Sequence, residues 1–249
     1  MNPPELITPT WVAPKGVRAF FTTRNGGYSR GNFKSFNLSL TVGDDEKNVF
    51  KNRHQLNQFL PSPPKWVKQV HGNRLVMAEN VEESTEADAV FTKRPNTVCG
   101  IMTADCLPIL ITNKNGDEIA AIHAGWKGLA CNIIKKTIER FESSPGSLIV
   151  QFGPAISQRQ YEVRDDFINH FLQLDQKFIK YVTERPDGTY CADLFGIARY
   201  QLEKLNVNSI YDLKLCTRTE EDKFFSHRRR NLTGRMAALI WIENRKLLI

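Results

Sequence analysis

A chain of 249 residues with 41% hydrophobic and 24% charged side chains can bury a substantial core and has the balance of a globular protein, which excludes disordered and fibrous classes. Its 34 Lys and Arg outweigh 27 Asp and Glu for a net charge of +7, an excess that favours anionic ligands. The one dense basic run, His227 to Asn231, is too short to predict a nucleic-acid surface, and no apolar run approaches the roughly 20 residues of a membrane helix.

The opening residues MNPPELITPTW lack the basic flank and apolar centre of a signal peptide, so the expected compartment is the cytoplasm, with no membrane partner. Val, Ile and Phe first concentrate in a predicted strand at 17–22. The Pro-rich loop LPSPPKW (Leu60 to Trp66) leads into predicted strands at 66–70, 75–78, 98–103, 107–112 and 118–123. After Lys127, Ala130, Ile133, Ile134, Thr137, Ile138 and Phe141 recur at intervals of three and four, which predicts an amphipathic helix. A turn at SSPGS (Ser143 to Ser147) precedes a strand at 148–152. Helices are predicted at 167–174 and 194–205 and a last strand at 236–242. Strands and helices mixed without strict βαβ alternation predict an α/β or α+β fold, its sheets covered by helices. With no repeat or long linker, residues 1–249 are expected to form a single domain.

Chemistry concentrates where apolar runs end. In IMTADCLPILIT, Asp105 and Cys106 stand between two apolar runs. WVKQVHGN delivers His71 at a strand end before Gly72, and EIAAIHAGWKG delivers His123 before small residues that permit close approach. Two imidazoles and one thiolate match a catalytic zinc site, where three protein ligands leave the fourth position open. Packing also accounts for a strand-end His or Cys, and the residues alone leave both readings open. The five cysteines (Cys99, Cys106, Cys131, Cys191, Cys216) include no CxxC pair and read as thiols, ligands or nucleophiles rather than disulfides.

These segments resemble the bacterial laccase-domain family, whose members have been described as polyphenol oxidases, peptidoglycan editing factors and zinc-dependent purine nucleoside phosphorylases. The motifs run nearly end to end: FFTTRNGGYSRG, SFNLSLTVGDD, KNR, QVHGN, EADAVFT, TADCLPIL, AAIHAGWKGL, GPAIS with YEV, and FFSHRRR followed by TGRMAALI. The resemblance implies His71, Cys106 and His123 as metal ligands and a four-layer α/β/β/α sandwich with two mixed sheets. It also implies a monomer that phosphorolyses adenosine, inosine, guanosine and methylthioadenosine to base and sugar-1-phosphate, with adenosine deamination as a second activity.

Phosphate needs cations, and Arg24 and Lys127 are the first candidates, followed by Arg228 and Arg229; a solvated surface charge is the alternative for each. Asp105 adjoins a ligand and is a candidate to orient an imidazole or shuttle a proton. In a regular strand it would face away from Cys106, so a turn there, or a role as strand-end cap, is part of the same expectation. Asn37, Asp44 and His227 are candidate substrate contacts, whereas His54 and His170, in helical surroundings, read as structural. Five histidines are too few for a multicopper oxidase, although copper could occupy the same three donors. A Cys106 nucleophile acting as an amide hydrolase on peptidoglycan precursors, and a basic binding module with a structural metal, are the other readings.

Overall fold

The computed structural model describes residues 3–82 and 84–244. The first half of the chain forms β1 (Leu6–Ile7), β2 (Val17–Thr22), α1 (Glu46–Asn57), β3 (Leu75–Met77), β4 (Ala89–Thr92), β5 (Cys99–Thr103), β6 (Leu107–Asn113) and β7 (Ile119–Ala124). Then come α2 (Trp126–Ala130), α3 (Ile133–Ile138), β8 (Leu148–Phe152), β9 (Glu162–Val163), α4 (Asp165–Leu174), β10 (Val182–Glu184) and β11 (Tyr190–Ala192). The last elements are α5 (Leu194–Lys204), β12 (Ser209–Asp212) and β13 (Met236–Ile242).

Side-chain parity on the strands builds the layers. On β13, Ala238, Ile240 and Ile242 pack with Leu110, Ile119 and Ala121 of β6 and β7, while Ala237, Leu239 and Trp241 point the other way onto Leu56 of α1. The opposite face of β6 and β7, with Leu107, Ile109, Ile111, Ala120 and Ile122, is covered by Leu129, Ile133, Phe167 and Ile197 of α2 to α5. The order α1, sheet, sheet, α2 to α5 is the four-layer α/β/β/α sandwich. A one-residue slip on β13 would exchange two buried faces, each of whose large apolar side chains contributes about 1.5–3 kcal/mol.

The sheet β1-β2-β13-β5 is antiparallel throughout, where the resemblance implied a mixed one. Its neighbour, β12-β8-β6-β7-β4-β3, is mixed, with parallel pairs at its two edges. A small antiparallel sheet of β10, β11 and β9 lies apart from both.

Two predicted elements differ. Residues 66–70 are not a strand: the flanking loop makes only isolated bridges, Lys65 with Cys99 and Lys68 with Glu86. The Gln69 side chain instead donates to the carbonyl of Met102 and accepts from its amide, both at 2.7 Å, filling the edge of β5 as a neighbouring strand would. The helix after Lys127 is two short helices, because Asn132 between them takes a left-handed conformation (φ 61°). Strand β4 was not expected; all four of its residues are buried, so it shows no alternation. No helix of the described residues is long and apolar enough to cross a membrane.

Candidate metal centre

Pro108 of β6 stands opposite His123 of β7, so Cys106, just before β6, and Gly125, just after β7, meet at one end of the sheet. His123 shares parity with Ile119 and Ala121 and therefore points between the sheets. The turn from β5 to β6 passes through Asp105 at φ 96°, and His71 sits at φ 58°. Both are strained positions for residues other than glycine, and such strain persists where surrounding contacts enforce it.

The result is a convergence of three donors. Ligand atoms of His71, Cys106 and His123 lie within 4.8 Å of one another, with Cys106 Sγ 3.8 Å from His71 Nε2 and the two imidazole rings edge-on at 4.7 Å. A Cβ on Gly125 would stand 3.0 Å from His71 Cδ2 and 3.1 Å from Cys106 Sγ, so glycine is what leaves the cluster room.

Asp88, fully buried at the head of β4, fixes two of the donors. Its carboxylate accepts from His123 Nδ1 at 2.8 Å and from the backbone amides of Val70, His71 and Gly72 at 3.3, 3.0 and 2.7 Å. A carboxylate only accepts, so the proton of His123 lies on Nδ1 and Nε2 is the nitrogen left to bind a ligand. Burial pushes the Cys106 thiol up, but the His123 and His71 imidazoles outweigh it and bring the thiol down to about 6. Burial likewise disfavours charge on His123, yet Cys106 and Asp88 raise it to about 9. A thiolate and two oriented imidazoles suit a borderline-soft transition metal, and three such donors leave a coordination position open. The cluster can hold a metal ion.

These donors form one wall of a cleft of about 930 Å³. Trp126, Tyr161, Arg53, Arg228 and Arg235 line it. Arg228 lies 5.1 Å above the Tyr161 ring.

The family model of the multi-copper polyphenol oxidoreductase laccases matches residues 18–243. The chain belongs to this laccase family. It is 42% identical over 245 residues to a purine nucleoside phosphorylase of Haemophilus influenzae, covering 96% of this chain and 100% of the relative. It is 40% identical to purine nucleoside phosphorylase YfiH of Escherichia coli, covering 96% and 99%. The crystal structure of NMB0706 from Neisseria meningitidis matches with a TM-score of 0.93 at 37% identity, covering 96% of this chain and 99% of that one. YlmD from Geobacillus stearothermophilus matches at 0.83 and 30% identity, covering 96% and 100%.

Within this laccase-family chain, other expected site residues have different surroundings. Asp105 does not orient an imidazole: its carboxylate accepts from Thr217 Oγ1 at 2.6 Å and from the Arg228 amide at 2.7 Å, tying three segments together at the cleft wall. Arg24 lies outside the cleft lining, donating to the carbonyls of Lys34 and Glu221, both at 2.9 Å, with its guanidinium 4.8 Å from the Phe225 ring. Arg229 donates to the carbonyls of Thr217, Arg218 and Phe224 and likewise stays out of the cleft. Lys127 is exposed at the start of α2, 5.7 Å from the Trp126 ring; Trp126 is the residue that lines the cleft.

Asn37 and Asp44 are bonded to each other at 2.9 Å, and Asn37 Oδ1 accepts from the Arg235 amide, so this pair holds the segment that carries Arg235. His227 and Arg228 line the cleft, and His227 Nδ1 donates to the Asn231 carbonyl at 3.0 Å. His54 and His170 are exposed on α1 and α4. Sequence reasoning passed over Asp88, Arg235 and Tyr161. For Asp88 the signal was present in EADAVFT: a carboxylate at the head of an apolar run, the feature that singled out Asp105.

Proposed function

We propose that this chain is a zinc-dependent purine nucleoside phosphorylase, cleaving adenosine, inosine, guanosine and methylthioadenosine, with adenosine deamination as a second activity of the same centre. The observation that carries this reading is that His71, Cys106 and His123 line one cleft with aromatic and arginine side chains. Those surfaces complement a purine nucleoside and a phosphate dianion. The names borne by relatives 42% and 40% identical support the same reading.

Zinc held by the three donors supplies a Lewis acid at the cleft wall. The chain's own groups do the rest. Arg228 and Arg235 line the cleft, each with one guanidinium nitrogen bonded to backbone carbonyls, of Glu162 and of Thr233 and Gly234 respectively, and their other N–H donors and fixed charge suit phosphate oxygens. Tyr161 and Trp126 offer faces on which a purine can stack. A phosphate oxygen then bonds to C1′ as the bond from C1′ to the purine nitrogen breaks, and positioning by the arginines sets the line of attack. The proposed active unit is a single-domain monomer working in the cytoplasm.

Product analysis after adding adenosine and phosphate tests this reading. Adenine and ribose-1-phosphate in equal amounts support phosphorolysis, and inosine reports deamination. Purine release that ignores phosphate would overturn it. A copper-loaded oxidase is the second reading, favoured by the family description. Among the described residues, however, His71, Cys106 and His123 are the one group of three His, Cys or carboxylate donors placed to hold an ion. A multicopper machine needs a cluster as well, whereas a single copper at these donors remains compatible with their softness. Metal analysis of protein made without added copper separates the two.

A further inference from the structure

Metal-ligating imidazoles are commonly oriented by a carboxylate one contact away. Here one carboxylate reaches the supports of two ligands. Asp88 Oδ1 takes the Nδ1 proton of His123 at 2.8 Å and also accepts from the His71 amide at 3.0 Å, while Oδ2 accepts from Gly72 at 2.7 Å and Val70 at 3.3 Å. His71 holds a left-handed backbone (φ 58°), a conformation costly for a side chain other than glycine and in need of such anchoring. Asp88 is fully buried, lies outside the cleft lining and is no member of the donor cluster.

We propose that Asp88 is the positioning residue of the metal centre: its single carboxylate sets the ring of His123 and the backbone of His71 together, so two of three ligands are in place before metal arrives. This rests on the metal reading of the cluster. Asp88→Asn isolates the effect. With its carbonyl at the Oδ2 position, an asparagine can still accept from the Val70 and Gly72 amides, but its NH2 then faces the His71 amide and His123 Nδ1, so it loses the His71 anchor and steers the imidazole proton to Nε2, the nitrogen needed for metal. Turned the other way, the NH2 meets the Val70 and Gly72 amides and the loop loses two of its three anchoring bonds.

The test is zinc affinity, measured by competition with a chromophoric chelator, beside the melting temperature of the metal-free protein and amide exchange at residues 70–72. Asp88→Asn is expected to weaken zinc binding about 10- to 100-fold while the metal-free variant stays folded at the assay temperature. Unchanged zinc affinity in a folded Asp88→Asn protein overturns the proposal. Should the variant not fold, ¹⁵N NMR of zinc-loaded wild type decides instead: a proton on His123 Nδ1 supports the assignment, and metal bound through Nδ1 sinks it. Wild type that fails to bind zinc refutes the metal reading itself, a result distinct from either.

Discussion

Gly125 and Cys106 approach so closely that a Cβ on the glycine would stand 3.1 Å from the sulfur. The glycine backbone is ordinary (φ −68°), so alanine is conformationally acceptable and the obstacle is space alone. Overpacking of this kind costs about 1–3 kcal/mol. Gly125→Ala should therefore weaken metal binding roughly tenfold or more, with little change in the melting temperature of the metal-free protein. Chelator competition and calorimetry measure the two; equal metal affinity in both proteins would show that the cluster has slack.

Asp105 offers a cleaner separation of structure from chemistry. Its buried carboxylate satisfies the Thr217 hydroxyl and the Arg228 amide, and Asp105→Ala leaves both donors unpaired at about 1–3 kcal/mol each at most. Lower stability and a raised KM for phosphate are expected, since Arg228 loses its tether. The shape of the pH–rate profile should not move. A lost ionisation in that profile would instead make Asp105 a proton carrier.

Arg228 is anchored on one side by a 2.8 Å bond from its guanidinium to the Glu162 carbonyl and stacked on Tyr161, which leaves the rest of the fork for a ligand. Lysine keeps the charge and loses the fork. Arg228→Lys should raise KM for phosphate by about tenfold, the worth of one charge-assisted bond of roughly 1.5 kcal/mol, with a smaller effect on KM for the nucleoside. Steady-state kinetics with each substrate varied in turn would expose the opposite pattern.

The ligand trio was legible in the sequence because each member ends an apolar run, and strand parity then directs His123 between the sheets. Asp88 was not, since its value lies in meeting an imidazole 35 residues ahead and amides 16 to 18 residues behind. Arg24 and Arg229 misled for a related reason. A guanidinium in a sequence reads as a ligand for anions, but these two spend their donors on backbone carbonyls brought in by distant loops. Helical periodicity is blind to a single left-handed residue, so Asn132 broke one expected helix into two. The four-layer order came from the family resemblance, and the alternate residues of β13, apolar on both faces, agree with it.

Away from the centre, Asp175 joins α4 to α5. Lys204, the Lys177 amide and the Tyr200 hydroxyl hold its carboxyl well below the usual carboxylate range. In the unfolded chain it takes up a proton near pH 4. Its stabilising contribution is thus complete above that pH and drains away as pH falls further. Asp175→Asn should flatten the acid limb of melting temperature against pH below about 4, and parallel curves for the two proteins would contradict the assignment.

The most direct measurement pairs metal content with turnover in His71→Ala. Wild type purified without added copper should carry close to one zinc per chain and release purine from inosine only when phosphate is present, whereas His71→Ala should lose both zinc and phosphate-dependent release. A His71→Ala protein without metal that still releases hypoxanthine at the wild-type rate would contradict the account.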